Sequence, residues 1–267
     1  MIRKLQRVSG SLQQAKAELR WMKDAVKSYP IDKQQEKLDW FITRRLRHVP
    51  LQYILGSVDF LGLNILTRPP VLIPRWETEE ITERLVNTIP TMDAFPNTGK
   101  ELSKITKVVE LCCGSGCISL ALSHYHPSLD IDAFDISKSA VRLSKLNQRK
   151  LNTNVDFQIQ DIFKHKFKDY DLLVCNPPYV TPSEYENLAK SLYYEDKYAL
   201  VTKDKLGLEF YEYISSLKIS KYICFEIGEK QATLVQEILQ KNGYSSIVYK
   251  DMAGKDRSIF ATSQFHS

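Results

Sequence analysis

The sequence predicts an α/β protein: a mostly parallel sheet with helices on both faces and an antiparallel pair at its end, joined to a small N-terminal helical domain. Three observations predict it. From residue 105 onward, short β-branched runs alternate with helical segments. Residues 11 to 48 carry apolar side chains at spacings of three and four. Between these regions Gly56, Gly62, Pro69, Pro70 and Pro74 break the chain into short extended pieces.

The elements follow in order. SLQQAKAELRWMKDAV puts Leu12, Ala15, Leu19, Met22 and Val26 on one helical face, and KQQEKLDWFITRRLRHV does the same with Leu38, Phe41, Ile42 and Leu46. Pro30 and Pro50 punctuate these helices. Neither is long enough to be stable alone, so they must pack together. The glycine- and proline-broken stretch reads as a hairpin linker, and Glu77 to Ile89 as a helix. PTMDAFPNTGKELSK is polar and loop-like. KVVEL, IDAFD, VDFQIQ, DLLVC and YICFEI read as strands. CISLALSHY, SKSAVRLSKLNQRKL, GLEFYEYISSL and EKQATLVQEILQKNG read as helices, and SSIVYKDMAGKDRSIFA as two strands around a turn. The expected division is 1–55 helical domain, 56–74 hairpin linker and 75–267 α/β domain.

No run approaches the 18 apolar residues a membrane helix needs, so no membrane partner is expected. Five cysteines are an odd number for a disulfide framework, and most lie in or beside strand-like runs, which fits a reducing compartment. Cys112, Cys113 and Cys117 lack a second Cys/His cluster at zinc spacing, so no metal is expected. The net charge of +5 is unevenly placed: residues 1 to 60 carry 12 Lys/Arg and 6 Asp/Glu, leaving 25 and 26 for the rest. The excess reads either as a solvated helical surface or as a docking surface for an acidic or RNA-associated partner. MIRKLQRVSG is basic and free of acids, which suits the front of a mitochondrial presequence and equally the first turn of a helix.

VVELCCGSGCISLAL places a turn with Gly114 and Gly116 between a strand and a helix. In a doubly wound sheet, ligands bind beyond the carboxyl ends of the strands near such a turn. Glu110 sits at the end of the first strand of that sheet, Asp135 ends the second and Asp161 follows the third. An acid after the second strand is where a ribose diol is held, although Asp135 could also cap the following helix. Three acids along one sheet edge suit a positively charged adenosine ligand such as S-adenosylmethionine. After the next strand comes Asn176-Pro177-Pro178-Tyr179. The prolines stiffen the loop. The Asn176 side-chain oxygen and the Pro177 carbonyl can accept both hydrogens of a planar –NH2, with the Tyr179 ring packing on it.

Asn-Pro-Pro-Tyr, the Gly-containing turn and the strand-end acids resemble class I methyltransferases acting on planar or exocyclic nitrogens, which have a Rossmann-like sheet. Within these the chain is similar to the HemK/PrmC family, which methylates the glutamine of class I peptide-chain release factors. LQYILG, PVLIPRWETEE (the family's IPR-x-E-T-E signature), FEIG and AGKDRSIF carry the likeness along nearly the whole chain. There are departures: Cys112 stands where the family has a glycine, the family's proline ahead of Ala199-Leu200 is replaced within YYEDKYAL, and Thr202 and Leu206 replace a glycine and an aspartate. The resemblance implies S-adenosylmethionine as cofactor, held by Glu110, Gly114, Gly116, Asp135, Asp161 and Asn176. It implies catalysis by Asn176, Pro177 and Tyr179, with Pro178 completing the substrate contact, and a release factor as protein substrate. Arg75 and Glu77 are expected to shape the entrance, and Arg257 to be structural. The basic start points to a mitochondrial member, with the cytoplasm as alternative. A nucleic-acid amino-methyltransferase would use the same loop on a flipped base, but residues 1 to 60 contain no recognisable nucleic-acid motif. A non-catalytic protein that merely retains the fold is the other alternative.

Overall fold

The computed structural model describes residues 1–96 and 104–265. Of the stretch expected to be a polar loop, residues 97–103 lie outside the described residues.

Four helices open the chain: α1 (Ile2–Ser9), α2 (Leu12–Val26), α3 (Ile31–Leu46) and α4 (Leu51–Leu55). They share a core built from Leu5, Ala15, Met22, Val26, Phe41 and Ile42. The two predicted helices are present, Pro30 and Pro50 standing at the N-caps of α3 and α4. The basic opening segment is the helix α1, whose Leu5 is fully buried. Inside this core Glu18 accepts from Arg45 Nε at 2.8 Å, from Arg45 Nη2 at 3.1 Å and from Ser9 Oγ at 2.7 Å. That pair ties three helices together with its hydrogen bonds satisfied, the condition under which a buried ion pair is tolerated.

The linker hairpin is β1 (Ser57–Phe60) and β2 (Leu63–Leu66), antiparallel. Helix α5 (Trp76–Thr88) follows, and then the α/β alternation: β3 (Lys107–Leu111), α6 (Cys117–Tyr125), β4 (Asp130–Asp135), α7 (Lys138–Leu151), β5 (Asp156–Ile159) and β6 (Tyr170–Cys175). After β6 come a short α8 (Pro182–Tyr185) and 3-10 turns at Lys190–Tyr194 and Lys197–Ala199. The chain continues with α9 (Glu209–Ser216), β7 (Ser220–Glu226), α10 (Ala232–Lys241), β8 (Tyr244–Lys250) and β9 (Asp256–Ser263).

The seven strands lie in the order β5-β4-β3-β6-β7-β9-β8. The first five are parallel; β9 runs antiparallel between β7 and β8. Strand alternation divides the core into two layers. Val108, Ala133, Leu172 and Cys224 face α5, α6 and the hairpin, while Val109, Phe134, Leu173 and Phe225 face α9 and α10. The order of connection reverses between β3 and β6, and the carboxyl ends of these strands, with β4 between β3 and β5, form the crevice where such sheets bind ligands. Asn147 of α7 fastens the linker to that crevice: its Oδ1 accepts from Leu66 N at 2.7 Å and its Nδ2 donates to Ser115 O at 3.0 Å. No helix among the described residues is long and apolar enough to cross a membrane.

Candidate active site

A cleft of about 130 Å³ opens over the carboxyl ends of β3, β4, β5 and β6. Its walls include Gly114, Asp135, Ile136, Asp161, Ile162, Phe163, Asn176 and Pro178. A smaller cavity adjoins it, lined by Arg75, Thr78, Glu110, Gly114, Cys117 and Asn176 among others. Gly114 and Asn176 border both, so they stand where the two spaces meet.

The turn after β3 keeps the geometry its glycines imply. Cys112 replaces a glycine and still holds φ 60°, a left-handed conformation costing a residue with a side chain about 1–2 kcal/mol. Gly114 N donates to Asp135 Oδ2 at 2.8 Å. Gly116 lines neither space. A Cβ there would lie 2.7 Å from Phe157 Cζ and 2.9 Å from Ser144 Cβ. The absence of a Cβ at Gly116 lets β5 and α7 pack against the turn.

The acids separate by environment. Glu110 is buried and accepts from Ser119 N at 3.0 Å and from Ser119 Oγ. Burial pushes its carboxyl up to about 8, against the pull of the Ser119 hydrogen bonds. Asp135 receives Gly114 N on one oxygen and Ser137 N at 2.8 Å on the other. It closes a turn, while the helix cap is Ser137, whose side chain accepts from Ala140 N. Burial raises the Asp135 carboxyl as well. Asp161 is half-buried, and its hydrogen bond with Lys164, 3.1 Å away, holds it below the usual carboxylate range.

The Asn-Pro-Pro-Tyr loop leaves β6 at Asn176, with Pro177 and Pro178 buried. Tyr179 Oη donates to Glu226 Oε1 at 3.4 Å, and Gln231 Nε2 donates to the Tyr179 carbonyl at 3.3 Å. Gly207 packs on that carbonyl so closely that a Cβ would overlap it. Asn176 Nδ2 donates to Thr78 Oγ1 at 3.3 Å, and Thr78 Oγ1 donates to Glu226 Oε2 at 2.6 Å. Burial pushes the Glu226 carboxyl up to about 7, opposed by the Thr78 hydrogen bond and by Arg257. Arg257 itself pairs with Asp251, Nε to Oδ2 at 3.2 Å.

Arg75 turns out to hold one wall. Its Nη2 donates to both oxygens of Glu195, at 2.8 and 2.6 Å. Asp196 N donates to Pro70 O at 2.6 Å, and Tyr194 Oη donates to Arg47 O at 2.8 Å. These contacts fix the segment whose next residues, Asp196, Tyr198 and Ala199, line the cleft. Further along, Asp204 accepts from Leu206 N at 3.2 Å and Leu208 N at 2.9 Å.

Sequence reasoning passed over Thr78, Glu195 and Glu226 as site residues. Glu226 carried a usable signal, since it ends a strand of the parallel set as Asp135 does. Glu195 carried none, lying in irregular chain between two 3-10 turns.

Strand order, the antiparallel last strand and a crevice joining strand-end acids to Asn176 define a class I methyltransferase. Residues 92–208 match the family described as methyltransferase small domain. A methyltransferase from Pyrococcus furiosus shares the fold, with a TM-score of 0.53 at 17% identity, covering 76% of this chain and 90% of that one. The release factor glutamine methyltransferase of Bacteroides thetaiotaomicron is 33% identical over 237 residues, covering 85% of this chain and 81% of that protein. The one from Bacillus subtilis is 34% identical over 223 residues, covering 80% and 75%. The chain belongs to the release factor glutamine methyltransferase family.

Proposed function

We propose that the protein methylates the side-chain amide nitrogen of the glutamine in the Gly-Gly-Gln motif of a class I peptide-chain release factor, using S-adenosylmethionine. The observation that carries this reading is the position of Asn176, where the large cleft and the smaller acid-lined cavity meet. The residues present fit the cofactor. Asp135 offers a carboxyl group beside the Gly114 turn, and Ile136, Ile162 and Phe163 give apolar walls for a planar base.

When bound, S-adenosylmethionine supplies an electrophilic methyl group on a sulfonium. The task left to the protein is to make an amide nitrogen, whose lone pair is delocalised, into an adequate nucleophile. The Asn176 Oδ1 and the Pro177 carbonyl accept the two amide hydrogens and orient the nitrogen, and the Tyr179 ring packs on the amide plane. This is positioning and electrostatic stabilisation. The amide proton leaves to water once the new C–N bond has formed, so no dedicated base is required.

Helices α1–α4 would dock the release factor, and nucleic acid is not the acceptor in this reading. The mitochondrial matrix is the proposed location, on the strength of basic, acid-free α1. Because Leu5 is buried in the domain core, α1 would be retained after import rather than cleaved. Imaging of the tagged full chain and sequencing of the mature N-terminus test that point. The central test is mass spectrometry of release-factor peptides after incubation with enzyme and isotope-labelled cofactor. One labelled methyl on the Gly-Gly-Gln glutamine is expected; label in nucleic acid and none in the release factor would overturn the reading.

A further inference from the structure

We propose that Thr78 and Glu226 are positioning residues which fix the rotamer of the Asn176 amide, so that its oxygen and not its nitrogen faces the acceptor. The inference deepens the function proposed above and rests on it.

The side chain of Asn176 has two ends of nearly identical shape, one that accepts and one that donates. Only the accepting end is useful towards an –NH2 group. A 180° turn about the last side-chain bond would present a donor to a donor. Something must distinguish the two orientations, and the loop prolines cannot, since they restrain backbone alone.

The chain Asn176–Thr78–Glu226 makes the distinction. Thr78 is buried in the first turn of α5, and Glu226 is buried at the end of β7, next to β6 in the sheet. The Thr78 hydroxyl has a single proton. In its ionised form, which burial confines to pH above about 7, the carboxylate at 2.6 Å takes it, as the shorter and charge-assisted bond. Toward Asn176, 3.3 Å away, the hydroxyl can then only accept. It therefore selects the nitrogen end of the amide and leaves Oδ1 for the substrate side. The second Glu226 oxygen receives Tyr179 Oη at 3.4 Å, so one carboxylate sets both side chains of the Asn-Pro-Pro-Tyr loop. Glu226 is itself anchored, its carbonyl accepting from Tyr211 Oη at 2.9 Å.

The test uses the full-length enzyme with intact release factor and labelled cofactor. Thr78→Val keeps the shape and removes the hydroxyl; kcat should fall about tenfold, the effect of one lost orienting hydrogen bond. KM for the release factor and Kd for the cofactor should stay within about threefold of wild type. Thr78→Ser restores the hydroxyl and should recover most of the loss. Glu226→Leu should lower kcat at least as much, and Thr78→Val/Glu226→Leu should be no worse than Glu226→Leu alone, because the three groups act as one unit. The Glu226 arm also decides the matter should Thr78→Val fail a circular dichroism check. Wild-type kcat in Thr78→Val, no recovery in a folded Thr78→Ser, or additive losses in the double variant would overturn the inference. A cofactor Kd that rises as much as kcat falls would also overturn it, by placing Thr78 in the cofactor pocket. If the wild-type enzyme leaves the release factor unlabelled, the functional reading itself fails, an outcome distinct from all of these.

Discussion

Replacing Arg75 by alanine should loosen the wall of the cleft without unfolding the protein. Glu195 would lose both hydrogen bonds from Arg75 Nη2 while its side chain is 1% exposed. Burial already pushes its carboxyl up even with Arg75 in place. Leaving one partner of a buried pair alone costs about 3–5 kcal/mol. The chain has a cheaper exit than carrying that cost, because Lys190–Ala199 is built of two 3-10 turns and can swing out and rehydrate Glu195. Swinging out breaks the Asp196–Pro70 and Tyr194–Arg47 hydrogen bonds, about 1–3 kcal/mol together. The surplus of about 2 kcal/mol favours the open wall, so a cofactor that needs it closed should bind roughly 30-fold more weakly. Calorimetry with S-adenosylmethionine reads the affinity, and limited trypsin digestion at Lys190 and Lys197 reads the opening. Arg75→Ala/Glu195→Ala should recover part of the affinity, since no buried charge is left behind. Affinity within threefold of wild type and no new tryptic cleavage in Arg75→Ala would refute this reasoning.

Asn176→Ala should abolish methyl transfer while cofactor binding, measured on the same preparation, survives. Asp135→Ala should weaken cofactor binding by about 1.5–3 kcal/mol, the range for hydrogen bonds to a charged group; an unchanged Kd would reduce Asp135 to a turn residue. Glu110 gives a pH signature: its folded carboxyl titrates at about 8 against 4.5 unfolded, so its contribution is fully present below pH 4.5 and is lost as pH rises through 8. Glu110→Gln should therefore flatten the fall in melting temperature between those pH values, and a parallel shift of the whole curve would count against the assignment. Reversing the exposed charges Lys16, Arg20 and Lys23 on α2 should raise KM for intact release factor at least about tenfold and leave a short Gly-Gly-Gln peptide unaffected; equal effects on both would remove α2 from the docking surface.

Where hydrophobic period and strand-end chemistry coincide, the structure was legible from residue types. Helix α6 runs over Cys117–Tyr125 and β3 over Lys107–Leu111, as the pattern requires, because each is a short apolar run bounded by turn residues. The acids and Asn176 converge because a parallel sheet brings its carboxyl ends together. What stayed hidden depends on contacts distant in sequence. Arg75 and Glu195 are 120 residues apart, and Thr78 and Glu226 are 148 apart. No local spacing encodes such pairs. The packing role of Gly116 was hidden for a related reason: a glycine in a turn looks the same in sequence whether it clears room for a ligand or for Phe157.

The place of β9 in the sheet bears on how the enzyme is made. Translation delivers β8 before β9, yet β8 touches the sheet only through β9. Until β9 threads in, β8 has no partner and β7 keeps a bare edge. The ladder closes with Ser258 opposite Glu226, the residue at the end of β7 that reaches towards the Asn-Pro-Pro-Tyr loop. The helical domain, built from local contacts, can form long before that moment. A nascent chain would thus form its helical domain early and complete the sheet edge beside the Asn-Pro-Pro-Tyr loop last, so that a truncation ahead of Asp256 leaves Glu226 without its ladder partner.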